Sequence, residues 1–117
     1  MSDESGVLEL AILDVKPSLE EPFEAAFERA ERILAAADGY LGHELQRCVE
    51  KASRYVLLVR WETLEHHTEG FRGSPVYAEW SALLHSFYDP FPVVEHYRPR
   101  GDRPDSEPVP REEDVPS

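Results

Sequence analysis

One eight-residue run constrains this chain more than any other: Arg54-Tyr-Val-Leu-Leu-Val-Arg-Trp61. β-Branched and aromatic residues dominate it and no helix signal interrupts it, so it reads as a strand. Tyr55, Leu57, Val59 and Trp61 fall on one face, and Val56, Leu58 and Arg60 on the other. Both faces are largely apolar. An antiparallel strand in a small domain ordinarily leaves one face to water, so this one has to be covered twice. The chain has helices enough for one cover. The second is expected from another copy of the chain, and the space between the copies is where chemistry has room.

The neighbouring segments supply the rest of a sheet. Residues 7–15, Val-Leu-Glu-Leu-Ala-Ile-Leu-Asp-Val, read as a first strand, apolar on both faces apart from Glu9 and Asp14. Ser18 with Glu21 fits a capping box, and Pro22 is an alternative mark of the first helical turn. From Leu19 through Phe23, Ala26, Phe27, Ala30, Ile33, Leu34 and Ala37 the apolar residues recur at helical spacing, which predicts an amphipathic helix stopped by Asp38-Gly39. A second strand is expected from about Tyr40 to Val49, with a short hairpin loop leading into the strand at 54–61. Thr63 can cap a short helix reaching about Glu69. Ser74-Pro75 then opens another, with Val76, Tyr77, Trp80, Leu83, Leu84 and Phe87 as its apolar stripe. Val93–Tyr97 completes the set as a last short strand.

The order β-α-β-β-α-β within residues 1–97 is the ferredoxin-like α+β arrangement, a four-stranded antiparallel sheet with both helices on one face. Here the opposite face would be strongly apolar. Pairing two such sheets face to face hides roughly 1,500 Å² or more, as obligate dimers do, whereas a monomer would expose more apolar patch than soluble proteins tolerate. A homodimer is therefore expected. Residues 98–117 differ in kind. They hold five of the ten prolines with six acidic and four basic residues. That composition predicts a disordered acidic tail.

Charge and cysteine count narrow the setting. A formal net charge of −12 argues against nucleic acid, since phosphate binding needs clustered Lys and Arg. The single Cys48 excludes a disulfide framework within one chain. No signal peptide is visible, and no apolar run approaches the ~18 residues of a membrane span. These features point to a cytoplasmic protein.

Gly39-Tyr-Leu-Gly-His-Glu-Leu45, the strand ending in Val59-Arg-Trp61, Glu-Thr-Leu-Glu-His-His67, Phe71-Arg-Gly-Ser-Pro75 and Val94-Glu-His-Tyr97 together resemble the antibiotic biosynthesis monooxygenase family. The resemblance covers about residues 6–97, in order and with matching element lengths. It implies a dimeric α+β barrel with a pocket between sheet and helices. It also implies, for some members, cofactor-independent oxygenation of aromatic polyketides and quinols. A haem-degrading branch with this fold uses an Asn on the first strand, a Trp after the third and a His on the last helix. This chain has no Asn on its first strand, where Ala11 stands near the expected place. Trp80 or a neighbour takes the helix position, with His85 one turn further on, so the comparison disfavours haem degradation.

Oxygenation without a cofactor needs a base, a positive or hydrogen-bonding partner for the substrate anion, and a dry aromatic pocket. Histidine is the natural base near neutral pH. His67 shares a helical face with Leu64 and Phe71 and is expected to point inward; His66 points about 100° away. The functional reading of His67 and His66 is catalytic. The alternative is a partly buried, backbone-bonded His67 beside a solvent-facing His66. His43 alternates with Leu41 and Leu45 and is a candidate for the cavity lining or a core histidine, and His96 is expected at dimer contacts. Trp61, Phe71, Tyr77 and Trp80 are candidates for a substrate wall or plain core. Arg60, alone on an apolar face, calls for a partner: Glu44 across the hairpin or a bound anion. Metal ligand spacing, GxGxxG, P-loop and GxSxG motifs are all lacking, so no metal or cofactor is expected. The reading is an oxygenase for a small aromatic, quinol-like or polyketide molecule. The alternatives are a non-catalytic small-molecule binder or a structural dimer. A barrel filled by its own side chains, with no void of at least ~300 Å³, would remove both ligand readings.

Overall fold

The computed structural model describes residues 6–100. Its elements run β1 (Val7–Asp14), α1 (Glu20–Ala35), β2 (Tyr40–Arg47), β3 (Arg54–Trp61), a π-helical segment (His66–Phe71), α2 (Val76–Leu84), a 3-10 turn (His85–Phe87) and β4 (Val94–Tyr97). The four strands form one antiparallel sheet in the order β2-β3-β1-β4. This is the α+β ferredoxin-like arrangement that the element order predicts. The tail expectation falls almost wholly on residues 101–117, which lie outside the described residues.

Alternation along the two central strands sorts the sheet into unlike faces. Val7, Glu9, Ala11 and Leu13 of β1, with Tyr55, Leu57, Val59 and Trp61 of β3, are all buried. Glu9 stands opposite Val59, Ala11 opposite Leu57 and Leu13 opposite Tyr55. Against this face pack Phe23, Ala26, Phe27, Ala30 and Leu34 of α1, and Trp80 and Leu84 of α2. The other face carries Leu8, Leu10, Ile12, Val56 and Leu58, all half-buried, and none of them joins the hydrophobic core. β3 is therefore covered by helices on one side only.

Local signals were overridden at several boundaries. The Ser18 capping box does not form: Ser18 adopts a positive φ of 74°, and α1 starts at Glu20 without a side-chain cap. Its first turn is closed by the backbone of Phe23 donating to the Leu19 carbonyl. The helix stops at Ala35, two residues early, where Ala36 and Ala37 donate to Ile33 and Leu34 in tighter turns. β2 ends at Arg47, leaving Val49 93% exposed in the hairpin loop. Ser74 does not cap α2; its hydroxyl donates to the Phe71 carbonyl and ties α2 to the π-helical segment. No helix among the described residues is long and apolar enough to cross a membrane.

Candidate active site

The site begins with one residue out of pattern. Glu9 occupies a core-facing position of β1 and is only 7% exposed. A carboxylate there costs several kcal/mol unless donors meet it. One does, the Trp61 indole N–H at 2.9 Å from Oε1, and His67 Nε2 stands 3.4 Å from the same oxygen. Oε2 has no hydrogen-bond partner among the described residues. Burial pushes the Glu9 carboxyl above its ordinary range, and the Trp61 hydrogen bond and the nearby charge of Arg72 oppose that shift.

His67 is 4% exposed and lies flat on Trp61, with ring centroids 5.3 Å apart and planes inclined by 20°. Its Nδ1 lies 2.8 Å from Nε2 of His96 on β4. Register explains that meeting, because Glu9 of β1 pairs directly with His96. Burial, then the charges of Arg72 and His96, drive the His67 pKa down to about 3. The imidazole is neutral across the physiological range.

The segment carrying His67 supplies two more groups. Thr63 does act as a cap, its Oγ1 accepting the backbone N–H of His66. The chain then winds as a π-helix, in which the Arg72 amide donates to the His67 carbonyl five residues back. In an α-helix, residues five apart diverge by about 140°. The wider turn returns position 72 to the side of position 67, and π-turns recur at functional sites for such reasons. His67, Phe71 and Arg72 consequently line one cavity.

That cavity has a volume of about 350 Å³ and lies between the inner sheet face and the helices of one chain, rather than between copies. Glu9 and His67 stand at its polar end, with Arg72, itself solvent-exposed, at the rim. Phe71, Tyr77, Trp80, Tyr88 and Phe91 supply aromatic lining, with His85 among them. Arg72 makes no ion pair within the described residues, so its charge is available to an occupant. Burial lowers the pKa of His85.

The expected site residues are thus divided. His67, Phe71, Tyr77 and Trp80 line the cavity. Trp61 does not; it is fully buried behind His67 and acts on Glu9. His66 is turned away, bonded to Thr63 Oγ1 at 2.9 Å and packed where a Cβ on Gly39 would overlap its ring. His43 is also outside the cavity, with its two nitrogens taken by the Tyr40 hydroxyl and by Glu31 of α1. Arg60 lies on the opposite sheet face and makes no pair with Glu44. The hairpin register puts Gly42 opposite Arg60 and Glu44 opposite Leu58, and Glu44 accepts instead from Gln46. Glu9 and Arg72 were not singled out as site residues by the sequence pattern, and His96, expected at dimer contacts, instead meets His67. Glu9 did leave a signal, as the one charged residue among the inward positions of β1.

The comparisons with known proteins agree with this architecture. Residues 7–83 match the profile of the antibiotic biosynthesis monooxygenase family. The chain belongs to that family. It is 55% identical over 92 residues to the uncharacterized protein YczJ of Bacillus subtilis, covering 79% of this chain and 97% of that one. Among solved structures, a protein of Bordetella bronchiseptica named for the same family is 34% identical, with a TM-score of 0.78. That match spans 81% of this chain and 97% of the other. SnoaB, a cofactor-independent oxygenase from Streptomyces nogalater, has the same fold at 21% identity and a TM-score of 0.66, over 86% and 99% of the two chains.

Proposed function

We propose that the protein is a cofactor-independent monooxygenase acting on an aromatic, quinol-like or polyketide small molecule, and that Glu9 is the base. The observation that carries this reading is the buried carboxylate whose Oε1 accepts the Trp61 N–H while Oε2 has no donor, in the wall of an aromatic cavity. A buried acceptor without a partner calls for a donor, and a phenolic hydroxyl or an acidified ring C–H supplies one. Transfer of that proton to Glu9 leaves an electron-rich anion beside the charge of Arg72. The anion gives one electron to O2; the radical and superoxide combine into a peroxide anion, which takes the proton back from Glu9, and the hydroperoxide loses water to leave a carbonyl on the ring. One oxygen atom enters the product and the other leaves as water. His67, held neutral with its Nε2 3.4 Å from Glu9 Oε1, orients the carboxylate and does not take the substrate proton itself. The name of SnoaB and the family membership support the reaction class.

The apolar outer sheet face supports a homodimer, with Leu8, Leu10, Ile12, Val56 and Leu58 hidden against their counterparts. Sedimentation at micromolar concentration should return twice the 13.4 kDa chain mass, and a monomer would defeat the dimer.

For the reaction, oxygen uptake is followed with a panel of hydroquinones, naphthols and anthrones under aerobic and anaerobic conditions. The expected result is O2-dependent turnover that Glu9→Gln abolishes and Arg72→Ala weakens through KM. Saturable binding of panel members without oxygen uptake would favour a binding protein over an enzyme.

A further inference from the structure

His96 touches neither the cavity nor its occupant in the reading above, yet it faces the only nitrogen of His67 that Glu9 does not. A neutral imidazole carries one N–H, so each of its nitrogens has a fixed part: one donates and the other accepts. Nε2 faces Oε1 of Glu9, an oxygen that also receives the Trp61 N–H. Nδ1 faces Nε2 of His96 at 2.8 Å. Which proton arrangement holds is therefore decided at both ends of the chain Glu9–His67–His96.

We propose that His96 is a positioning residue: its Nε2–H donates to Nδ1 of His67, which holds His67 as the Nε2–H tautomer, aims that proton at Oε1 of Glu9 and leaves Oε2 to meet the ligand. This deepens, and rests on, the reading of Glu9 as the cavity base. The opposite arrangement, with Nδ1–H donating to His96, leaves a bare Nε2 against a carboxylate oxygen and places two acceptors face to face. It is satisfied only when Glu9 itself is protonated. The tautomer of His67 and the charge of Glu9 are thus one variable, and His96 sets it from the edge strand. Burial and the charge of Arg72 keep His96 below its usual pKa, so it serves as a neutral donor at physiological pH. Its Nδ1 has no hydrogen-bond partner among the described residues, and the residue is half-buried. The other charged or titratable groups around the pair are Glu9, Arg72 and, across the cavity, His85, Tyr77 and Tyr88.

The experiment needs no substrate. In uniformly 15N-labelled full-length protein at pH 7, long-range proton–nitrogen correlations read the tautomer of each histidine ring directly. His67 is expected to show a protonated Nε2 and a bare Nδ1. In His96→Leu the two His67 nitrogen shifts should converge as the Nδ1–H form becomes populated, and His96→Gln, whose amide is a donor, should return them toward the wild-type positions. Should His96→Leu fail to fold, His96→Asn, with an amide too short to reach Nδ1, takes its place. Wild-type His67 found as the Nδ1–H tautomer, or ring shifts unmoved by loss of the His96 donor, would overturn the proposal. Neither result depends on oxygen uptake, so an inactive quinol panel and a wrong tautomer are read separately.

Discussion

The two faces of this sheet are built from the same two central strands and differ in what they do with charge. On the inner face, a single carboxylate is buried among apolar residues and met by an indole N–H and an imidazole within 3.4 Å. On the outer face, Arg54 is paired with Asp14 at one end, while Arg60 sits beside an apolar patch, exposed and without an ion pair among the described residues. The first arrangement has a high desolvation cost and is fully organised. The second costs little, because water still reaches it. A buried charge beside a cavity is a candidate functional group, whereas an exposed charge on an apolar face stays solvated and needs no partner.

That contrast can be broken experimentally. Trp61→Ala should have the largest effect, about 3–5 kcal/mol in urea unfolding, because it empties a fully buried site and strips Glu9 of a donor. A loss below about 1 kcal/mol would mean that the inner cluster is not the organised element described.

Acid should act next. His67 has a folded-state pKa of about 3 against 6.5 in the unfolded chain, so the unfolded state binds more protons between those values. Its contribution is fully present above pH 6.5 and is lost as pH falls toward 3, about 5 kcal/mol at most. Glu9 works in the opposite sense, since a raised carboxyl favours the folded state as pH falls toward 4.5. The acid limb of a stability–pH curve should therefore flatten in His67→Phe, and an unchanged limb would place the titration elsewhere.

Gly39→Ala comes third. The position has φ of 82° and its Cβ would overlap the His66 ring, so a loss of about 1–3 kcal/mol is expected in thermal unfolding. Arg60→Ala should be smallest, within about 0.5 kcal/mol at fixed protein concentration. A large effect there would erase the distinction between the faces.

The sheet was legible in the sequence because alternation and β-branched content survive in every register. The strand at 54–61 matches its predicted span, and its apolar second face was rightly read as lying outside a single helix layer. What resisted was pairing. That Glu9 meets His96 depends on a contact between residues 87 positions apart, which no local pattern encodes. The Arg60–Glu44 pair does not form for the same reason, because the hairpin register sets Gly42 against Arg60 and Glu44 against Leu58. Trp61 was legible as important and misread in role, because spacing reports which face a ring occupies and not what its N–H bonds. Arg72 was hidden by the π-turn, since helical spacing assumes the α period.

That turn has a consequence for variation among related chains. A π-turn holds one residue more than an α-turn of the same reach, so His66–Phe71 can lose a residue and still bridge β3 and α2. Such a deletion would leave the sheet and its buried carboxylate in place while rotating position 72 off the rim. The charge at the cavity entrance would change with the scaffold untouched, a one-residue dial set in the connection between β3 and α2.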